Sequence, residues 1–256
     1  MASSHPILQV ADHVKAVSLE GSRLAAAATR AGLEAPVPSC PGWTVTELLR
    51  HLSYVHDWAA RHVREGLETT FERDPEAVVV ASGPSGAQLV ERYRESNQRL
   101  VAALQAADPG LRCWTFLPAP SPLAFWARRQ AHETTIHRVD AELASGPVNP
   151  VTPEFAADGL DELLFGFCSP ARMRRSQAER SLALVATDCD RRWLVQADQA
   201  GMSVTAAPDP AQYELQGPAA DLYLILWNRP AGTGVTADGD SRVMDWWRQE
   251  VRITWE

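Results

Sequence analysis

The segment TVTELLRHLSYVHDWAARHVREG, residues 44–66, predicts a capped amphipathic helix. Thr44 and Glu47 have the T-x-x-E spacing of a capping box, in which each side chain hydrogen-bonds a backbone N–H that the helix leaves unpaired. Behind this box, apolar residues recur every three or four positions: Val45, Leu48, Leu49, Leu52, Val55, Ala59 and Val63. Gly66 is expected to end the helix. Such an apolar stripe has to be buried, so this segment predicts a helical bundle.

The rest of the first half predicts further helices that are separated by proline-rich turns. Apolar periodicity, with Gly, Pro or Asp at the ends, predicts helices over residues 9–32, 85–107, 122–145 and 153–167. Ser121 and Pro122 form an N-cap and first-turn pair, and Ser85 is a second candidate cap. The segment between Gly66 and Ser85 is predicted to be a polar loop.

The pattern of the sequence changes after about residue 180. Short apolar or alternating segments predict strands over residues 181–187, 192–197, 202–206, 212–215 and 251–255. Apolar segments predict helices over residues 218–227 and 241–250. Between the halves, residues 169–179 are rich in Arg and Ser and show no periodicity. We therefore expect two domains, a helical bundle over residues 1–168 and a small α+β domain with a mostly antiparallel sheet over residues 180–256.

Composition and charge exclude several classes of protein. The chain has 256 residues, 45% hydrophobic and 22% charged, which is ordinary for a globular protein. Its formal net charge of −8 disfavours nucleic acid as a partner, since phosphate binding needs a basic face. The first ten residues lack the pattern of a signal peptide, and no apolar run reaches the roughly 18–20 residues of a membrane span. Four cysteines in a chain of this length, with no C-x-x-C pair, do not make a disulfide scaffold, so we expect a reduced, cytoplasmic protein. The lack of an apolar span predicts no membrane partner.

The segment HETTIH, residues 132–137, contains the clearest candidate for metal chemistry. It is one residue longer than the H-E-x-x-H motif of zinc proteases. His132 and His137 diverge by ~140° around a regular helix, so the two cannot bind one ion. Glu133 and His137 are four residues apart and share a face, which makes half of a site for a divalent metal. The same spacing is also typical of a plain Glu–His hydrogen bond.

The remaining ligands must come from another helix, and the helix of residues 44–66 contains three histidines. His51 and His56 both lie beside its apolar stripe, and the pattern allows either as a ligand. Taken alone, a histidine at the position of His51 is more often an ordinary half-buried side chain than a ligand. His62, near the helix end among charged residues, is expected to be solvated. Trp58 follows His51 by seven residues on the same face and is a candidate pocket residue.

Stretches in both halves resemble one known family. Residues 41–44, PGWT, with LLRHL at residues 48–52, and AHETTIHRVD at residues 131–140 resemble the metal-binding segments of the mycothiol-dependent maleylpyruvate isomerase family. That family belongs to the DinB-like four-helix-bundle proteins. Residues 217–222, GPAADL, and 226–229, LWNR, resemble its C-terminal domain, which is similar to sterol carrier proteins. The resemblance covers nearly the whole chain and implies a DinB-like bundle followed by a sterol-carrier-like α+β domain.

The resemblance also implies a metal site. The family's pattern, a His in an H-L step and then E-x-x-x-H, corresponds here to His51, Glu133 and His137, and it leaves His56 as a pocket candidate. Zn²⁺ is the first choice of metal for this ligand set, and Ni²⁺, Fe²⁺ and Mn²⁺ also suit it.

Two more residues complete the expected site. Arg229 corresponds to an arginine that is implicated in the family's catalysis, and its guanidinium suits a substrate carboxylate. Asp140, one turn after His137, can orient that imidazole. An ion pair in solvent with Arg138 or Arg50 is the alternative for this aspartate.

The implied function is an enzyme that uses a metal and mycothiol, the low-molecular-weight thiol of actinobacteria. A metal-bound thiol loses its proton and becomes the nucleophile, which suits isomerisation of an unsaturated acid or S-transfer to an electrophile. The alternatives are a metal-dependent hydrolase on the same bundle and a non-catalytic small-molecule binding protein. The expected partners are a small-molecule substrate and the thiol, and the chain is expected to be a monomer or a homodimer.

Overall fold

The computed structural model describes residues 8–70, 76–168, 176, 178–207 and 209–251. Its contacts divide into two compact units, one comprising residues 9–149 and the other beginning at residue 150. The first unit is helical, and the second combines helices with one sheet.

The N-terminal unit is a bundle of four long helices with a short helix after the second. They are α1 (Val10–Ala31), α2 (Val45–Glu65), α3 (Glu76–Ser82), α4 (Gln88–Ala106) and α5 (Pro122–Leu143). Helices α1 and α2 each pack against both α4 and α5, so the long helices surround a shared interior. Buried side chains of the first three long helices pack together there, among them Leu24, Leu48, Leu49, Leu52, Leu89 and Tyr93. The predicted helical bundle is confirmed.

The start of α2 has the predicted capping box. The Thr44 side chain accepts a backbone N–H of the first turn at 3.2 Å, and Glu47 Oε2 accepts the Thr44 N–H at 2.8 Å. Gly66 follows the helix in the left-handed conformation, with φ of 59°, which a residue without a Cβ adopts most readily. Local sequence therefore determines both ends of α2.

Helices α3 and α4 differ from the sequence prediction. Helix α3 forms inside the segment that is predicted to be a polar loop, and it packs against α2. Arg50 of α2 donates to the carbonyl of Val80 at 2.9 Å and to that of Pro84 at 2.8 Å. These bonds satisfy carbonyls that a helix end leaves free, so a tertiary contact supports α3. Helix α4 begins at Gln88, later than the predicted cap at Ser85.

Helix α5 is buried around most of its circumference although many of its residues are polar. Arg138 is fully buried and donates to Glu20 of α1 at 2.5 Å and to Glu142 of α5 at 2.6 Å. Buried charges are tolerated only when each has well-placed partners. Because one partner comes from α1, this network also sets how α1 packs on α5.

The C-terminal unit is built on a five-stranded sheet. Its elements are α6 (Pro153–Asp161), a π-helical segment (Glu162–Phe167), β1 (Arg180–Ala186), β2 (Arg192–Asp198), β3 (Gly201–Thr205), β4 (Tyr213–Gly217), α7 (Ala219–Leu226), β5 (Thr236–Gly239) and α8 (Arg242–Glu250). The strand order is β3-β2-β1-β4-β5. Strands β1 and β4 are parallel, and the other neighbouring strands are antiparallel. The predicted α+β fold with a mostly antiparallel sheet is confirmed.

Strand β5 is absent from the sequence prediction. All four of its residues are exposed, so it has none of the apolar alternation that marks a strand. It forms by pairing with β4, where Gly239 lies opposite Tyr213. Gly239 has φ of 97°, and a Cβ there would meet the carbonyl oxygen of Gln212 at 2.2 Å. The pairing therefore requires glycine at this position.

The division between the two units lies before α6 rather than after it. Helix α6 packs against α7, so the contacts group it with the C-terminal unit, whereas the sequence predicts it as the end of the bundle. Most of the predicted linker, residues 169–179, lies outside the described residues. The same is true of most of the predicted strand at residues 251–255. Among the described helices, none is long and apolar enough to span a membrane.

We expect Thr44→Ala to lower the free energy of unfolding by about 0.5–2 kcal/mol, because it removes the side-chain half of the capping box. Urea denaturation followed by circular dichroism measures the change. Thr44→Ser keeps the hydroxyl and should stay close to the wild type. Thr69→Ala, at an exposed position outside the helices, makes the same threonine-to-alanine change without removing a cap, and it is the control. Equal stability of Thr44→Ala and wild type would contradict the role of the box.

Candidate metal centre

The candidate site lies where helices α2 and α5 pack together in the N-terminal unit. His51 is in the second turn of α2, and Glu133 and His137 are one turn apart on α5. One ligand-type atom from each of the three lies within 4.8 Å of the others. The two helices run antiparallel, since His62, later in α2, stacks on Trp126, earlier in α5. Helix α5 thus supplies two donors, and helix α2 supplies one.

Both imidazoles direct their Nε2 atoms at the same carboxylate oxygen. His51 Nε2 is 3.1 Å from Glu133 Oε1, and His137 Nε2 is 3.4 Å from that atom. The two imidazole centroids are 4.8 Å apart and their planes meet at 73°. Two nitrogens and one oxygen therefore face a common point. Such a donor set suits a divalent metal that keeps further positions open.

Asp140 orients His137. Its Oδ2 lies 2.8 Å from His137 Nδ1, and it accepts the Cys40 thiol at 3.5 Å. The Ser39 hydroxyl donates to the other oxygen, Oδ1. Because Asp140 is fully buried, it is not the solvated ion pair that the sequence offers as the alternative. A carboxylate beside Nδ1 keeps a hydrogen on that atom, so Nε2 is the ring nitrogen that would bind a metal.

The second oxygen of Glu133 has a different partner. Arg129, one turn earlier on α5, donates from Nη2 to Glu133 Oε2 at 3.0 Å. Arg129 is 1% exposed and Glu133 is 6% exposed. A buried carboxylate is costly unless it is paired and hydrogen-bonded, and here each of its oxygens has a partner.

Burial and hydrogen bonding shift the pKa values of Glu133 and His137 in opposite directions. Burial raises the pKa of Glu133, but bonds from His137 and His51 and the charge of Arg129 outweigh it and hold this pKa well below its ordinary value of 4.5. Burial lowers the pKa of His137, but the acceptors, led by Asp140, outweigh it and raise this pKa well above 6.5. A proton would therefore compete with a metal ion for His137.

The site is more open beside His137 than beside His51. The side chain of His137 is 13% exposed, whereas that of His51 is 3% exposed. The ring of Trp43 lies beside His51, with 5.3 Å between the two centroids. A small molecule would therefore approach these donors from the His137 side.

Two other histidines are directed elsewhere by the bundle. His56 is fully buried, and its Nε2 is 3.0 Å from Thr134 Oγ1. Burial lowers the pKa of His56 to about 3, so it is neutral at neutral pH. The ring of His132 lies 6.1 Å from that of His13 on α1, away from the donors. The packing of α2 on α5 thus places His51 among the donors. Helical periodicity alone allows His51 or His56, and the family pattern predicts His51.

Trp58 and His62 belong to an aromatic cluster further along α2. The centroid of Trp58 is 5.0 Å from that of Trp126 and 6.0 Å from that of Trp114. His62 stacks on Trp126 at 5.1 Å and is fully buried, so the expectation that it is solvated is wrong. The role of Trp58 as a pocket residue stays a prediction.

Arg229 lies in the C-terminal unit, just after α7. It is half-buried, and its Nη1 donates to the carbonyl of Trp227 at 2.6 Å. Its catalytic role stays a prediction.

Three residues around the donors are absent from the sequence prediction. Arg129 precedes Glu133 by four positions, which is the spacing of a helical ion pair and is a signal that the sequence does contain. Ser39 and Cys40 lie in the loop before α2, and nothing in the sequence links that loop to Asp140. Only the packing of the bundle brings the loop and α5 together.

These observations define a protein of two units, a four-helix bundle that carries a two-histidine, one-carboxylate donor set and a small α+β unit. The family profile described as "Mycothiol maleylpyruvate isomerase N-terminal domain" matches residues 14–142. The profile described as "MDMPI C-terminal domain" matches residues 154–245. The chain belongs to the mycothiol maleylpyruvate isomerase family, as the sequence resemblance predicts.

Two solved structures share this fold. The crystal structure of the mycothiol-dependent maleylpyruvate isomerase matches with a TM-score of 0.62 and 17% identity, over 90% of this chain and 93% of that one. A crystal structure of a histidine-to-alanine mutant of mycothiol-dependent maleylpyruvate isomerase matches with a TM-score of 0.64 and 16% identity, over the same shares. At such identities the likeness shows the fold alone. No curated protein sequence matches this chain.

Elemental analysis should find about one divalent metal ion per wild-type chain, and Glu133→Gln should lose it. Glutamine is the sharper replacement because its amide oxygen can still accept from Arg129, which limits damage to the fold. Thr135→Ala, a buried change two positions further along α5 at a residue that is not a candidate ligand, is the matched control and should keep the metal. Equal metal content in Glu133→Gln and wild type, with helical signal unchanged, would exclude Glu133 as a ligand.

Metal affinity should rise with pH above 6.5, because His137 keeps its proton to a pH well above that value and must lose it to bind a metal. Glu133 is ionised throughout this range, since its pKa is held well below 4.5. Calorimetry in buffers of different ionisation enthalpy should show about one proton released per metal ion. An affinity that does not change over this range would show that His137 is not a ligand.

Proposed function

We propose that this chain is a divalent-metal-dependent enzyme that uses mycothiol to isomerise an unsaturated acid of the maleylpyruvate type. The observation that carries the proposal is the convergence of His51, Glu133 and His137 on one point, in a chain of the mycothiol maleylpyruvate isomerase family. The two solved relatives carry the name of this reaction. S-transfer to an electrophile is a related reaction that the same groups support.

The donor set fits the metal that the family implies. His51 and His137 would each offer Nε2, and Glu133 would offer Oε1, which is a ligand set that suits Zn²⁺ first and Ni²⁺, Fe²⁺ or Mn²⁺ as well. When bound, the metal would lower the pKa of a thiol so that a thiolate is available at neutral pH. Asp140 contributes by holding the hydrogen of His137 on Nδ1.

Three of the four cysteines, Cys113, Cys168 and Cys189, are poor candidates for an internal nucleophile. Burial raises the pKa of Cys168 to about 12 and that of Cys189 to about 11. Burial also raises the pKa of Cys113. These three side chains stay protonated at neutral pH, and the thiol form is a poor nucleophile. All four cysteines are free, which supports a reducing, cytoplasmic location.

The reaction follows from thiolate chemistry. A new C–S bond to one carbon of the activated double bond would leave a single bond about which the substrate can rotate. Loss of the same thiolate would then restore the double bond in the other geometry, so the thiol is not consumed. Arg229 is the residue that the family resemblance implies for binding a substrate carboxylate through paired N–H donors.

The thiol-using enzyme is better supported than the two alternatives. Both solved relatives are described as isomerases, and neither is described as a hydrolase or as a non-catalytic binding protein. The partners that we propose are therefore a small unsaturated acid and mycothiol.

The metal-loaded wild type should convert maleylpyruvate only when mycothiol is added, which loss of the substrate absorbance measures. His51→Ala should lower the rate by roughly 100-fold or more, because it removes a ligand of the metal. Asp57→Asn, on the same helix but paired with Arg92 and Arg99 of α4, is the control and should keep the rate. Equal turnover with and without thiol, or no turnover by metal-loaded wild type, would contradict the proposal.

A further inference from the structure

The two oxygens of Glu133 face different kinds of partner. Oε1 lies 3.1 Å from His51 Nε2 and 3.4 Å from His137 Nε2. Oε2 accepts from Arg129 Nη2 at 3.0 Å. Oε1 of Glu133 therefore faces the two imidazoles, and Oε2 is bound by Arg129.

Arg129 is well placed to hold that second oxygen. It lies one turn before Glu133 on the same helix, so its guanidinium reaches the carboxylate without any contribution from another element. It is 1% exposed, and a guanidinium stays charged at any accessible pH. Charge-assisted hydrogen bonds of this kind are roughly twice as strong as neutral ones.

We propose that Arg129 is a positioning residue that restricts Glu133 to a single metal-facing oxygen, Oε1, and so keeps coordination positions free for thiol and substrate. Carboxylates bind metals through one oxygen or through both. A second bond from Glu133 would occupy a position that an incoming ligand needs. This inference rests on the proposed metal-dependent function. It adds that Arg129 determines how many coordination positions of the metal stay open.

Cobalt(II) is the probe that tests the inference without an activity assay. The intensity of its visible absorption bands falls as the number of ligands rises, so it reports coordination geometry. Arg129→Met removes both the charge and the donor, whereas Arg129→Lys keeps a charged donor. Arg128→Met alters the neighbouring position, which lies about 100° away around the helix, and is the matched control.

Wild type and Arg128→Met should bind cobalt with equal affinity and equal band intensity. Arg129→Met should bind it about 10- to 100-fold more weakly, the usual effect of removing the partner of a ligand. Its bands should also be weaker, because Glu133 can turn and bind through both oxygens. Arg129→Lys should restore most of the band intensity. If Arg129→Met does not fold, Arg129→Gln, which is neutral but polar, should show the same changes to a smaller degree.

The outcomes separate this inference from the proposed function. Wild type that binds no cobalt, zinc or other divalent metal would overturn both. Wild type that binds cobalt, together with a folded Arg129→Met of the same affinity and spectrum, would overturn the role of Arg129 and leave the metal site intact. Equal losses in Arg129→Met and Arg128→Met would overturn it as well, since they would reflect a general weakening of α5.

Discussion

The buried carboxylate of Glu133 is the group on which the arrangement of the site depends. An anion inside a bundle is costly unless its oxygens have partners. Here the partners are His51 of α2 and, on α5 itself, His137 and Arg129. The contacts that satisfy this charge therefore also bring α2 and α5 together and direct two imidazole nitrogens at one point. The same interaction therefore stabilises the packing of α2 on α5 and arranges the candidate metal centre.

Buried polar side chains of helix α5 bind partners on several sides of the helix. Arg138 binds Glu20 of α1 and Glu142 of its own helix, while Asp140 receives bonds from the loop before α2. A helix that is buried on most sides needs no single apolar stripe, and its polar partners determine how it is rotated. That rotation keeps Glu133 and His137 facing α2 and turns His132 towards α1.

The parts of the fold that the sequence predicts are those with local causes. The capping box of Thr44 and the Ser121 cap depend on residues within one turn, and they form as expected. Strands β1 and β2 show apolar patterns because most of their side chains are buried. Strands β3 and β4 each keep a buried apolar residue, Met202 and Leu215. Helix α3 and strand β5 lack such patterns, since Arg50 supports the first and pairing with β4 forms the second. Contacts between distant residues leave no local signal.

For the site, the sequence by itself determined the half-site, because helical periodicity places Glu133 and His137 on one face whatever the rest of the chain does. It also carried the family, through motifs in both halves of the chain. Helical periodicity alone allows His51 or His56, and the family pattern selects His51. The tertiary structure decided where each side chain points, because the crossing of α2 and α5 directs His51 towards Glu133 and His56 towards Thr134. The surroundings of the donors were likewise decided by packing, since Ser39 and Asp140 meet only when the bundle is assembled.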